Sequence, residues 1–343
     1  MTEKNLVCVT GLGIESSSIS DCNSLLESLS LGIKQAKCKL KDKPAPKGFR
    51  YKDRATKLAA HASEAALLDA GLPVASSEQI CPETFGLVAS SNLGNLDTVC
   101  RVSETIRSSH VNKTSPIDIP NLSSNVVATS LAIKFGFKAV NLMLCNGSIS
   151  GIDALHLAAN SIRTNRASRM LVVGVEPLNS VVEKIMYNSH SASTSSDDNL
   201  FQLNLGEASG AVVLESYEAA TQRNAFIYGY LTGYGYGHKY DIKESILSAA
   251  KNNLSSLDLW LTPNCSYEET SKHVQQTLVS LGEDAPIATF DLGTILGEIY
   301  GALGIIQCIS ACLWLQKHQK HRVVATSGTT WGDGSASIMI ERF

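Results

Sequence analysis

Apolar residues along this chain fall into short continuous runs, separated by longer stretches with helical spacing. FGLVAS (85–90), VNLML (140–144) and RMLVVGV (169–175) are runs of the first kind. They read as strands, and RMLVVGV as one of the kind covered on both faces of a sheet. LVCVT (6–10), closed by Gly11 and Gly13, reads as a further strand. Between the runs lie an Ala-rich amphipathic helix over 57–70, stopped by Gly71 and Pro73, and a polar helix from about Leu96. Another helix follows Pro120 and ends at Gly136, and one more runs from the turn at Ser148 to about Asn165. SHSASTSSDDN (189–199) is poor in apolar residues and reads as a loop; LGEASGAVVLE (205–215) returns to a glycine turn and a strand.

After a hydrophilic break over 218–224 the same grammar resumes. It predicts a strand in FIYGYLTGYGYG, a helix from about Ile242, a strand in LDLWL, a helix over 271–281 and a strand in IATFDLG. A long apolar helix and the strands HRVVATSG and SASIMIE complete the pattern. Two successive halves, 1–217 and 222–343, imply a duplicated α/β architecture whose central helices are covered by sheets.

Composition narrows the function classes. A net charge of −3 over 343 residues argues against a nucleic-acid binder. The Lys-rich stretch 34–54 is the local exception, read either as a solvated loop or as a docking surface for an acidic partner. Nine cysteines are scattered singly, without metal spacing, so neither a metal nor a disulfide framework is expected. They fit reduced thiols in a cytoplasmic protein, and MTEKNLVCVTGLG runs straight into a strand pattern with no signal peptide. ILGEIYGALGIIQCISACLWL (295–315) is long and apolar but carries Glu298 and three glycines, and basic residues follow it. A buried core helix, not a membrane span, is expected there.

Chemistry concentrates at CNGSISGIDAL, where Cys145 closes an apolar run and Ser148 opens a helix. Unpaired N–H groups and the dipole at a helix start suit an oxyanion, so Ser148 reads either as a nucleophile or as an N-cap. Cys145 reads as a small buried apolar residue or as a thiol one turn short of the site.

Six stretches, in order and nearly end to end, resemble the β-ketoacyl synthases of the thiolase superfamily. These are VCVTGLG, HASEAALLDAGL, FGLVASSNLGNLDT, the segment from GFKAVNLML through VVGVEP, LGEASGAVVLE, and TSGTTWGDGSASIMIE. The resemblance implies a thiolase-like fold of five layers, α-β-α-β-α, assembled as a dimer. It aligns Ser148 with the family's nucleophilic cysteine. Pro263, in TPNCSY, falls on the first catalytic histidine and Glu298, in GEIYGALG, on the second. Gly293 falls on the lysine, and Thr329-Thr330-Trp331 replace the phenylalanine gate, where Trp331 would close or shorten an acyl tunnel.

Claisen condensation needs a thiolate and N–H donors that stabilise an enolate. A serine hydroxyl is too weak an acid without a general base, proline has no side-chain donor, and an ionised Glu298 would repel malonate. The chain is therefore expected not to condense acyl thioesters alone. Ser148 with Glu298 could instead form an acyl-transfer or hydrolytic dyad. His156 lies about two helical turns from Ser148 and completes no triad, while His238 is a candidate third member without a placement. Trp260 reads as a packing residue.

The resemblance implies the partner arrangement of type II polyketide systems, in which an active ketosynthase pairs with an inactive homologue, the chain-length factor. SSNVVATSLAIKFG and VNLML correspond to the family's dimer-forming region. An active ketosynthase subunit is the expected partner, an acyl carrier protein is reached directly or through it, and no cofactor is implied. The loop over 189–199 and the region 233–256 look shorter than in typical members.

Overall fold

The computed structural model describes residues 6–17, 19, 21–31, 43–74, 81–193, 205–238, 241–282, 288–328 and 334–343. The gate residues Thr329, Thr330 and Trp331 lie outside these, as do residues 34–42 of the lysine-rich stretch and 194–199 of the polar loop.

The first half contributes strands β1 (Val7–Ser16), β2 (Phe85–Ser90), β3 (Asn141–Leu144), β4 (Arg169–Glu176) and β5 (Ala208–Ser216). Its helices are α1 (Cys22–Leu31), α2 (Arg54–Asp69), α3 (Leu96–Ser108), α4 (Val126–Phe135), α5 (Ser150–Arg163), α6 (Ser180–Ser193) and α7 (Tyr217–Gln222). The second contributes β6 (Gly229–His238), β7 (Leu259–Leu261), β8 (Ala288–Phe290), β9 (Arg322–Ser327) and β10 (Gly334–Glu341). It also holds α8 (Ile242–Ala249), α9 (Glu268–Leu281), α10 (Gly293–Leu296) and α11 (Tyr300–His318).

Strand order is β3-β2-β4-β5-β1 followed by β6-β10-β9-β7-β8, so the second five repeat the first in reverse. Parallel and antiparallel pairings repeat as well: β2 is parallel to β3 and β4, as β7 is to β8 and β9. The duplicated pattern is thus present in the topology. The halves meet where Val7–Val9 pair with Gly229–Leu231, joining ten strands into one continuous order.

Alternation along each strand distributes its side chains between layers. Met170 and Val172 of β4 join a central core with Ile152 and Leu155 of α5 and Ile305, Ile306 and Ile309 of α11. Leu171 and Val173 face Ala59 and Ala66 of α2 and Leu131 of α4. In the other half Ile338 faces inward, whereas Met339 meets Ile242 and Ile246 of α8 and Val274 of α9. Helices outside, strands, central helices, strands and helices outside make the five layers α-β-α-β-α. Burial on both faces explains why the strands read as unbroken apolar runs.

α11 is the long apolar helix, buried without a break from Gly301 to Cys312. No helix among the described residues is long and apolar enough to cross a membrane. It crosses α5 closely because both carry glycine at the contact: a Cβ on Gly304 would stand 2.5 Å from the Ile152 nitrogen. Gly304→Ala must push these helices apart, and chemical denaturation is expected to show a loss of about 2–3 kcal/mol.

Three local readings are corrected. The polar stretch 218–224 is not a break, because 217–222 form α7, N-capped where the Ser216 hydroxyl accepts the Ala219 N–H at 3.1 Å. The polar loop begins later than its composition implied, since α6 extends to Ser193. Arg54, at the end of the lysine-rich stretch, is no surface cation: its Nε donates to the buried Glu207 carboxylate at 2.5 Å.

Candidate functional site

The turn between β3 and α5 is built around Gly147, whose φ of +82° a side chain would disfavour. Its N–H donates to Asn92 Oδ1 at 2.9 Å. Its carbonyl accepts Asn92 Nδ2 at 3.0 Å and the Ser150 hydroxyl at 2.6 Å. Ser148 sits inside this turn, 3% exposed, and its Oγ meets no hydrogen-bond partner among the described residues. The N-cap reading is therefore corrected: α5 starts at Ser150, Ile149 precedes it, and no side chain caps it. Losing a bonded cap would cost about 1 kcal/mol. Ser148→Ala removes no bond, so urea unfolding is expected to show stability unchanged or slightly raised.

Cys145 is exposed, not buried, because β3 is the sheet's edge strand. Partial desolvation and the nearby Glu176 carboxylate raise its pKa, which holds it as a thiol.

The loop after β7 carries Pro263 and Asn264. Pro263 offers only its carbonyl, which accepts the Cys265 thiol at 3.2 Å. Asn264, 1% exposed, donates from Nδ2 to Glu298 Oε2 at 2.9 Å. Its Oδ1 accepts the N–H and hydroxyl of Ser266 at 3.0 and 2.7 Å. That same oxygen fills the space beside Gly293, where a Cβ would approach it to 2.2 Å. Asp291 accepts the Gly293 N–H at 2.7 Å and the Cys265 N–H at 3.0 Å, and burial raises its pKa.

Glu298 is 3% exposed and lies just before α11. Its Oε1 accepts the N–H of Tyr300 at 3.0 Å, pinning a non-glycine residue at φ +30°. Burial pushes its carboxyl up to about 7, reinforced by the charges of Asp291 and Glu176. Glu176, at the end of β4, accepts the N–H groups of Asn92, Leu93 and Gly301 at 2.6, 3.1 and 3.2 Å. It too is pushed up to about 7 by burial.

Hydrogen bonds run from the Ser148 turn through Asn92 and Glu176 to the Gly301 N–H, and from the adjacent Tyr300 N–H through Glu298 to Asn264, whose Oδ1 lies against Gly293. They bring the positions of Ser148, Pro263, Gly293 and Glu298 to one place. Two consecutive N–H groups at the start of α11, where an incoming anion would be welcome, are taken by the protein's own carboxylates. Both Glu298 oxygens are engaged, and no base contacts Ser148 Oγ among the described residues. His156 stacks on Tyr234, and His238 stands at the exposed end of β6 opposite Gly334. Trp260 is fully buried and donates to the Thr326 hydroxyl at 3.0 Å, as a packing residue would.

Asn264, Asn92, Glu176 and Asp291 escape a reading of the sequence centred on catalytic positions. The Asp-x-Gly spacing of 291–293 and the asparagine next to Pro263 are the only signals they leave.

The family model "Beta-ketoacyl synthase, N-terminal domain" matches residues 39–220, more than half of the chain. The chain belongs to the β-ketoacyl synthase family. A 3-oxoacyl-[acyl-carrier-protein] synthase 2 from Coxiella burnetii is 27% identical over 264 residues, which cover 68% of this chain and 63% of that protein. The chain thus spans less than two thirds of that relative's length. A β-ketoacyl synthase from Burkholderia phymatum superposes with a TM-score of 0.83 at 17% identity, over 98% of this chain and 99% of the other. The ishigamide ketosynthase/chain length factor superposes with a TM-score of 0.77 at 19% identity, over 98% and 99%. Likenesses this distant in sequence establish the thiolase-like fold that the family shares.

Proposed function

We propose that this β-ketoacyl synthase homologue is the non-condensing subunit of a ketosynthase pair. In this reading it acts like a chain-length factor in cytoplasmic polyketide, polyene or fatty-acid-like synthesis. The observation that carries the reading is Glu298. It is a buried carboxylate held by Asn264 and the Tyr300 N–H at the position that resemblance gives to a catalytic histidine. Both of its oxygens are taken up by protein N–H groups, so it offers no N–H donor to an enolate, and the fraction that is ionised near neutral pH has the wrong sign for a malonyl carboxylate. Pro263 supplies no side-chain donor, and Gly293 has no room for the lysine.

The two halves, 1–217 and 222–343, would serve as a scaffold. Its surface near the β3 edge and α4, where Leu142 is 40% and Ile133 77% exposed, would meet the active subunit. The ishigamide structure, which holds a ketosynthase and a chain length factor, supports such a pairing. An acyl carrier protein would then deliver chains to the partner's cysteine, with no cofactor bound by this chain.

The second reading is a homodimeric acyl-transfer or hydrolytic enzyme using Ser148, favoured by the unbonded Ser148 hydroxyl and the near-neutral Glu298. An assay of the purified chain with acyl- and malonyl-loaded carrier protein tests both. The proposal expects neither condensation product nor acylated serine. Turnover lost in Ser148→Ala would establish the second reading in its place.

A further inference from the structure

Strand β1 is paired along its whole length on one edge only. Val7–Ser16 pair with β5, whereas only Val7–Val9 pair with β6 on the other side. A bulge between Val9 and Gly11 resets which residues point to which edge. Just beyond the strand, Ser17 donates its N–H to the Glu207 carbonyl at 3.2 Å, which makes 17 and 207 a hydrogen-bonded pair of the antiparallel ladder. By alternation Glu15 and Gly13 also bond to β5, while Leu12 and Ile14 turn their N–H and C=O groups to the opposite edge. Leu12 shows the direction: its N–H donates to Asp69 Oδ2 of α2 at 2.8 Å. The N–H of Ile14 meets no acceptor among the described residues, although Ile14 is only 5% exposed.

This free edge forms one wall of a cavity of about 470 Å³, bounded also by the start of α1, by α2 and by α11. Leu12, Ile14 and Leu313 give it apolar surface, and Glu15, Asp21 and Asp69 line it with carboxylates. Glu15 is paired with Lys43 at 2.7 Å. Asp69 stands exposed at the cavity, hydrogen-bonded by the Leu12 N–H and by the Tyr228 hydroxyl at 3.1 Å. It pairs with no cation among the described residues. The cavity therefore presents a strand edge with an unused N–H, the carbonyls beside it, and a negative charge without a counter-charge. A buried N–H without an acceptor is costly, and a strand edge with room beside it is where extended chains add.

We infer that this cavity receives an extended, basic peptide segment of a partner protein, added as a short strand along Leu12–Ile14 of β1. A backbone carbonyl of the segment accepts the Ile14 N–H, its own N–H groups donate to the Leu12 and Ile14 carbonyls, and a Lys or Arg side chain reaches Asp69. Charge selects a basic segment over an acidic one, because carboxylates outnumber lysine three to one among the lining residues. In the strand order β1 lies four places from the β3 edge, so the site is separate from the surface proposed for pairing and does not depend on it.

The test uses the full chain, in the assembly in which it purifies, and the fluorescein-labelled peptide Thr-Val-Lys-Val-Thr, followed by fluorescence polarisation. Saturable binding is expected. N-methylation of the three central amides, which removes the strand N–H donors, weakens it at least about tenfold. Norleucine in place of the peptide's lysine weakens it roughly fivefold, and Asp69→Asn removes that preference. Ala65→Phe, at an exposed position of α2 that lines the cavity, abolishes binding. A crystal structure of the complex is expected to show a peptide carbonyl on the Ile14 N–H. Absence of saturable binding overturns the proposal. An N-methylated peptide that binds equally well overturns it too, and that comparison needs only the wild type if Ala65→Phe does not fold. Binding unchanged in Ala65→Phe, or a crystal structure in which another part of this chain bonds to the Ile14 N–H, overturns it as well.

Discussion

Gly293→Lys is expected to leave the chain largely unfolded instead of restoring a synthase-like site. A Cβ at this position would stand 2.2 Å from Asn264 Oδ1, 2.5 Å from Asn264 Cγ and 2.9 Å from Asp291 Oδ1. None of these atoms is the free end of a flexible chain. Asn264 is tied by three hydrogen bonds to Glu298 and Ser266, and Asp291 by two to backbone N–H groups. Overpacking by a methylene in a relaxed core costs about 1–3 kcal/mol. Here the clash also breaks the Asn264 bonds and leaves buried polar atoms unpaired, so a loss above about 4 kcal/mol is expected. Gly293→Ala isolates the steric part. It should lower the denaturation midpoint strongly, and Asn264→Gly in the same chain should recover at least half of that loss. If Gly293→Ala folds with wild-type stability, Asn264 does not fill the lysine position.

The second large effect is on pH. Glu298 is pushed from 4.5 up to about 7 in the folded protein. Between those values the native state holds a proton that the unfolded chain has released. Stability from this group is therefore greatest at low pH, falls as pH rises through the window from 4.5 to about 7, and is level above it. The full change is about 3 kcal/mol, approached at a slope of up to about 1.4 kcal/mol per pH unit. Glu176 titrates in the same window for the same cause, so the two glutamates add to one trend. Unfolding free energies of the wild type and Glu298→Gln, compared from pH 5 to pH 8, separate this slope from any constant offset due to the lost hydrogen bond. The wild-type curve should fall by roughly 3 kcal/mol more than the variant's. Parallel curves would show that Glu298 is ionised throughout and that its burial is compensated.

Much of the fold could be read from the chain because its strands are covered on both sides. RMLVVGV is apolar without interruption since Met170 and Val172 face the central helices while Leu171 and Val173 face the outer ones. The same logic misleads at an edge: VNLML looks equally buried, yet β3 pairs on one side only and Cys145 ends exposed. The short α7 escapes because one capping serine, not an apolar stripe, starts it.

At the candidate site the resemblance proposes positions, Ser148, Pro263, Gly293 and Glu298, by order along the chain, and it gives none of their interactions. That Asn264 occupies the space beside Gly293 depends on a contact between residues 29 positions apart, which no local spacing encodes. Ser148 illustrates the reverse case: a serine at a helix start suggested a cap, whereas the turn at Gly147 places the helix two residues later.

The central claim, that this chain works as the inactive half of a ketosynthase pair, is tested most directly by mass. The chain, tagged and purified from its own cells, should run in native mass spectrometry as a one-to-one complex with a second synthase-family subunit. That subunit should carry a cysteine and two histidines at the positions where the resemblance gives this chain Ser148, Pro263 and Glu298. A homodimer free of any such subunit, and able to turn over acyl carrier substrates, would contradict the account.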